Sequence, residues 1–436
     1  MSDGASPNAT AAANPNLFGH PRGLTVLFMT QMWAEFSFFG LQALLVYYMT
    51  KHLGFSQAKS SLIYGLYGGA AFFSPFFGGF IADRWLGKTR AVVIGALMMM
   101  AGHFAMAWEG LLYPALVLVA LGNGLFIPPL AIQVGSLYRD DDPRKATAYS
   151  AYYMGINVGG FIAPLICGTL GELYGWHWGF TVAGIGMAVG LVTYLTFRRY
   201  LPPEVRGAAS TGRVDSSGGP VRAHWWIDLS LIVAMVVLFR IGYEQSGNVI
   251  ALWVSDFTDR SLPLAPNLTI PATWFQSINP LLIIVGTPFL MRFWAKRRRS
   301  DSQAHLLRRM AIGCILAAAA SALMIGAAAV SGPSGAPVSL FWVVGYFVLL
   351  TAGELLVIPV GLTLVESLAP ATLASTAMGA WYIAKFLGSL LAGWMGAYWG
   401  QVSATSFFAL GGLCTLLAAG LLALLARRFE RRSAAA

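Results

Sequence analysis

Charge is scarce in this chain. Only 11% of its residues are Asp, Glu, Lys or Arg and 57% are hydrophobic, with a mean hydropathy of +0.65. A soluble domain carries about a quarter charged residues, so a water-soluble globule is excluded. Cysteine is equally scarce. Cys167, Cys314 and Cys414 are odd in number and lie inside apolar stretches, so neither a disulfide framework nor metal-ligand spacing follows from them. Catalytic signatures are missing too. There is no H-E-x-x-H, no G-x-S-x-G and no G-x-x-x-x-G-K-[ST], which argues against an enzyme and against ATP-driven pumping. Gly122-x-Gly124 lies within an apolar run and is no dinucleotide fingerprint. Residues 1–23 lack a basic region leading into an apolar core, so they read as a flexible cytoplasmic tail without a cleaved signal.

What is present is a series of twelve apolar stretches, approximately 24–50, 61–83, 89–109, 111–136, 146–171, 177–198, 225–254, 270–292, 306–330, 338–365, 371–398 and 403–426. Hydrocarbon cannot solvate a backbone amide, so each predicts a helix across a core of roughly 30 Å. The net charge of +10 is topological rather than a sign of nucleic-acid binding. With the N-terminus inside, the inner segments hold 23 of the 28 Lys and Arg, the outer loops hold Lys51, Lys59 and Arg260, and Arg240 and Lys385 lie within stretches. That asymmetry predicts both termini in the cytoplasm.

The only long polar segment, residues 200–224, is rich in Pro, Gly and Ser and reads as a disordered cytoplasmic linker. It divides the chain into an N-terminal six-helix bundle (24–199) and a C-terminal one (225–427), followed by a short tail (428–436). Two equal halves with a central linker predict an all-α integral membrane protein of the major facilitator type, in the inner or plasma membrane, with a solute site near the midplane.

The segment GGFIADRWLGKTR (Gly78 to Arg90) joins the second and third stretches. Its glycines permit close helix approach, and Asp83 is expected to cap or to pair with Arg84 or Arg90 at an inner gate. A solvated turn that merely satisfies the charge rule is the alternative. Five ionisable residues lie deep in stretches: Glu35, Arg240, Glu244, Glu354 and Lys385. A charge at the bilayer centre costs at least about 2.5–3.5 kcal/mol, so each must face a wet cavity or pair. Structural ion pairing or snorkelling is the plain alternative for each. Arg240 and Glu244 are i,i+4 and share a helix face.

With those segments in view the chain resembles the proton-dependent oligopeptide transporter family along nearly its whole length. The resemblance rests on GGFIADRWLGKTR, on GNGLFIPPLAIQVGSLY (Gly122 to Tyr138), on DDPRKATAYSAYYMGINVGGFIAPLICG (Asp141 to Gly168) and on YGWHWGF (Tyr174 to Phe180). The Y-Y-x-G-I-N-x-G core at Tyr152 to Gly159 is the most specific part. FSFFG, YEQSG, QSINPLLII and GELLVIPVGL support it.

The resemblance implies uptake of a small peptide or peptide-like solute by alternating access. No cofactor is implied beyond the proton gradient, no partner beyond solute and bilayer, no nucleic acid, and a monomer. It places Tyr67, Asn157, Gln276, Asn279, Glu354 and Trp381, with Glu35 and Arg240, at the solute. Glu35, Glu244, Glu354 and Lys385 become the proton-coupling candidates. Tyr67 reads equally as a core aromatic, and Trp381 lines the pocket or packs against lipid. His103 reads as packed or interfacial, and Pro280 and Pro359 offer kinks to gating helices.

The chain also departs from the family. The first stretch of relatives carries E-x-x-E-R, whereas here it reads Gln31-Met32-Trp33-Ala34-Glu35, so both acids are gone and Glu35 stands at the arginine. The fourth-stretch lysine is Ile127. Two expectations follow: Glu35 opposite Arg240 as an exchanged ion pair, and Lys385 replacing the missing lysine as partner of Glu354. Simple dipeptides are expected to bind weakly, and capped, cationic or larger peptide-like solutes better, unless Arg240 takes over the carboxylate. A facilitator or exporter of another amphipathic solute, and a non-transporting receptor on the same fold, are the alternatives.

Overall fold

The computed structural model describes residues 15–16, 19–139, 142–203, 225–262, 265–296, 302–368 and 373–434. Most of the expected 200–224 linker, Asp140, Asp141 and Arg297 to Arg299 lie outside the described residues. Twelve helical rods follow one another among the rest. They are α1 (Arg22–Tyr47, running into a π-helical Tyr48–His52), α2 (Gln57–Ile81), α3 (Lys88–Ala105) and α4 (Leu112–Ser136). Next come α5 (Arg144–Ala163, continued through Pro164–Gly168 and Thr169–Tyr174) and α6 (Trp176–Thr196). The second series is α7 (Trp225–Tyr243, then Glu244–Gly247 and Val249–Phe257), α8 (Ile278–Lys296), α9 (Gln303–Ser331), α10 (Phe341–Leu368), α11 (Ala374–Gly396) and α12 (Ala404–Ala434). Nine are long and apolar enough to cross a membrane by length and composition.

Two departures from the expected spans have physical causes, and a third is a shift of one boundary. α7 is not one rod: after Tyr243 it tightens to a 3₁₀ turn, and Asn248, at φ −109° and ψ −92°, breaks it before Val249. The run Gln245-Ser246-Gly247-Asn248 is poor in helix formers, which is the local reason. α8 begins with a 3₁₀ segment (Ala272–Ser277), so Pro280 falls in the first α-helical turn, where its missing N–H costs nothing, rather than at a kink. Among the described residues, prolines stand inside α2 (Pro75), α4 (Pro128 and Pro129), α8 (Pro288) and α10 (Pro359). α3 stops at Ala105, short of the expected 109.

Packing divides the chain into two units. The first is residues 1–44 with 73–210, and the second is residues 45–72 with 211–436. In the first, α3 packs on α4 and α6. Gly159 of α5 approaches α1 so closely that a Cβ there would meet the Met32 carbonyl. In the second, α9 packs against α10 and α12, and α7 against α11 and α12. Residues 45–72, the end of α1 and most of α2, belong with this second unit. A Cβ on Gly65 would lie 2.6 Å from the Gly393 Cα of α11, so backbone meets backbone there. Ser61 Oγ donates to Asn248 Oδ1 (2.8 Å), Tyr47 donates to the Ala251 carbonyl (2.7 Å), and Lys51 pairs with Asp256 at 2.5 Å.

Candidate functional site

Polar groups at the midpoints of apolar helices converge within the second unit. Glu354, at the midpoint of α10, is 7% exposed and accepts a hydrogen bond from Asn279 Nδ2 of α8 at 2.7 Å. The same amide nitrogen lies 3.0 Å from Thr351 Oγ1, one turn before Glu354. Tyr243 of α7 also hydrogen-bonds Glu354, while Arg240 and Lys385 act on it through their charge. Asn279, Tyr243 and Thr351 therefore form a built cradle for one carboxylate in hydrocarbon surroundings, where an unsatisfied polar group costs several kcal/mol.

Arg240 is 4% exposed and its Nη2 binds Glu244 Oε1, the i,i+4 partner, with Glu244 in the 3₁₀ turn where α7 breaks. The guanidinium carbon lies 5.0 Å from the Tyr243 ring centroid and 5.4 Å from that of Phe72 in α2. Lys385, at the midpoint of α11, brings its ammonium to 4.6 Å from the same Phe72 ring. The expected Lys385–Glu354 relation thus takes a looser form, with Asn279 and Tyr243 as the contacting partners of Glu354. Gly388, one turn beyond Lys385, is the reason Arg240 fits: a Cβ there would collide with Arg240 Cβ.

In the first unit, Glu35 is 8% exposed and accepts from Gln31 Nε2 at 2.7 Å. Gln31 Oε1 in turn accepts from the Tyr152 hydroxyl of α5 at 2.7 Å. Asn157, 7% exposed, donates to the Tyr153 carbonyl of its own helix (3.1 Å). Glu35 and Arg240 each have a hydrogen-bonded partner inside their own unit.

The remaining expected residues are placed as follows. Tyr67 is buried in the second unit, and Gln276 is half-buried in the 3₁₀ turn before α8. Trp381 is 3% exposed and its ring lies over Gly361 of α10, so it packs within protein between helices. Asp83, Arg84 and Arg90 are exposed, and Asp83 forms no ion pair among the described residues. Arg84 instead stands 6.0 Å over the Phe80 ring. His103 is fully buried in α3.

Sequence reasoning missed Phe72, Tyr243, Thr351, Gln31 and Tyr152. Tyr243 and Gln31 carried a signal, since one adjoins Glu244 and the other stands i,i+4 to Glu35. Phe72 carried none.

Outside the membrane, the Arg144 guanidinium chelates Asp142 and holds its carboxyl down at about 2. Arg144 Nη1 also donates to the Gly19 carbonyl (3.0 Å), and His20 Nδ1 meets the Tyr138 hydroxyl at 2.8 Å, which fastens the chain's entry to α1 against the α4–α5 turn.

The family model of the Major Facilitator Superfamily matches residues 27–393. The peptide transporter YePEPT of Yersinia enterocolitica is 32% identical, over 87% of this chain and 88% of its own. A di-/tripeptide transporter of Lactococcus lactis subsp. cremoris is 30% identical over 92% and 94%. The crystal structure of a peptide transporter in complex with alafosfalin matches with a TM-score of 0.86 at 27% identity, covering 98% of this chain and 99% of that one. The chain belongs to the proton-dependent oligopeptide transporter family of the major facilitator superfamily, a multi-pass integral membrane protein and not an enzyme.

Proposed function

We propose that this transporter moves short peptides or peptide-like zwitterions across the membrane by alternating access, driven by the proton gradient. The observation that carries the reading is the cradle at Glu354. A carboxylate 7% exposed at the midpoint of α10, fixed by Asn279 at 2.7 Å, is a receptor for an ammonium group. The names of the Yersinia and Lactococcus relatives, and alafosfalin in the related crystal structure, support the peptide class.

Glu244 is the strongest coupling candidate. Its hydrogen-bonded partner is Arg240, so a proton on Glu244 dissolves that pair and changes what Arg240 can hold. Glu35, hydrogen-bonded to Gln31, is the second candidate. In proteoliposomes under an inward acid gradient, labelled Ala-Ala or a tripeptide should accumulate above equilibrium, and Glu354→Gln should lower uptake at least tenfold. Equal uptake with and without the gradient would point to a facilitator; no uptake of any peptide would retire the reading.

A further inference from the structure

α12 ends in a run of charge that the solute site does not use: Arg427, Arg428, Arg431 and Arg432. The helix sorts these arginines by face. Leu425 and Phe429 are buried, and Arg432, on the same side, turns inward to Asp228 of α7 at 3.0 Å. Glu430, the one acid in the run, pairs with Arg308 of α9 at 2.8 Å. Arg427, Arg428 and Arg431 are exposed and have no acid partner among the described residues.

The same outward face is apolar further up the helix. Leu410, Leu413, Leu417, Leu421 and Leu424 are exposed at spacings of three and four residues, one stripe on a helix apolar enough to cross a membrane. Arg428 and Arg431 continue that stripe at i+4 and i+7 from Leu424. Leu417 to Arg428 spans about 16 Å of helix, half of a hydrocarbon core of roughly 30 Å. Trp226, two residues before Asp228, is exposed, and tryptophan gathers at the headgroup level, so this end of α12 lies there. Leu424 and the four arginines line an open groove of about 440 Å³, within the roughly 300–1,000 Å³ of small-ligand clefts. The charge asymmetry that orients a membrane protein counts cations in a segment and does not sort them by face.

We propose that this groove binds one anionic phospholipid. Its phosphodiester sits between Arg428 and Arg431 with Arg427 beside them, and an acyl chain lies along the leucine stripe. A guanidinium fork matches phosphate oxygens two at a time. The leucines favour a lipid over a free anion, and the three exposed cations favour an anionic lipid over a zwitterionic one. The lipid covers the outward side of the turn whose inward side ties α12 to α7 through Arg432 and Asp228.

The test uses the full-length detergent-solubilised protein and native mass spectrometry, with equimolar dioleoyl phosphatidylglycerol and dioleoyl phosphatidylcholine as probes. The wild type should retain phosphatidylglycerol at least about fivefold over phosphatidylcholine. Arg428→Gln with Arg431→Gln should bring that ratio to within about twofold. Arg198→Gln with Arg199→Gln, which removes two exposed cations after α6, should leave it unchanged. Each of Arg428→Gln and Arg431→Gln alone should lower the ratio about twofold, and these decide if the double variant does not fold. A wild-type ratio near one would overturn the proposal, as would equal losses in the two double variants or no loss in either single one. Excess inorganic phosphate should leave the lipid bound; displacement of the lipid would make the groove a plain anion site and overturn the proposal.

Discussion

Asp228 and Arg432 allow a stability argument with a definite sign. Asp228 lies in the first turn of α7 and is 1% exposed, and its Oδ2 accepts from Arg432 Nη1 at 3.0 Å. Its Oδ1 has no partner among the described residues, so Arg432 is the cation that compensates a buried carboxylate. Each charge sits at the helix end that favours it, the acid at an N-terminus and the arginine in the last turn of α12.

Removing one member of a buried pair costs about 3–5 kcal/mol, because the survivor keeps its desolvation penalty. Here the arginine side chain is 38% exposed, so water reaches its side of the pair and the cost is discounted to about 2 kcal/mol. Arg432→Gln should therefore lower the melting midpoint by about 4–8 °C, taking about 2–4 °C per kcal/mol for a unit of this size. Asp228→Asn, which removes the buried charge and keeps an acceptor for Arg432, should cost less than half of that. The 14 tryptophans make intrinsic-fluorescence melting the direct assay. A midpoint within 1 °C of wild type for Arg432→Gln, or a larger loss for Asp228→Asn, would refute the reasoning.

Glu244→Gln should abolish gradient-driven accumulation while leaving counterflow exchange, and Glu35→Gln should weaken accumulation less; if both variants still concentrate solute, neither acid couples. Gly393→Leu should force α11 from α2, since even a Cβ there would lie 2.7 Å from the Ser61 carbonyl, at a cost of about 1–3 kcal/mol. The check is a cysteine placed at the fully buried Ser61, which should become reactive to an impermeant maleimide only in that background. The Asp142–Arg144 contact predicts an acid response with a fixed sign. A carboxyl lowered to about 2 contributes fully above its unfolded value near 4 and loses that contribution as the pH falls from about 4 towards 2. Hydrogen-exchange protection at 142–150, taken relative to the intrinsic exchange rate at each pH, should be unchanged between pH 7 and 5 and should fall below pH 4, and Arg144→Gln should erase the difference.

The helices were readable because hydrocarbon leaves the backbone no other choice, so twelve apolar stretches predicted twelve rods. Glu354 and Asn279 were readable because a polar group at mid-stretch must answer to something. The break of α7 at Asn248 was not read, because its cost is met by partners far along the chain: Ser61 holds Asn248, and Gln245 Nε2 donates to the Ala392 carbonyl at 2.9 Å. Phe72 escaped for a related reason. One phenylalanine in an aromatic-rich helix has no distinguishing spacing, and its meaning comes from two cations more than 160 positions away. Trp381 reads from its sequence neighbours as lining the pocket or packing against lipid, and the close approach of its ring to Gly361 on another helix could not be read from them.

The packing boundary along α1 and α2 has a consequence for dividing the molecule. The polar linker invites a cut between residues 200 and 224, yielding two polypeptides of six helices each. The downstream fragment would then lack residues 45–72, which supply Ser61, Gly65 and Phe72 to its own packing. Made alone, it would leave Asn248 and the α11 backbone groove without their counterparts, and Arg240 and Lys385 without the ring they share. Fragment complementation should therefore succeed only when both pieces are synthesised in the same cell, with the upstream piece acting as template for the downstream one.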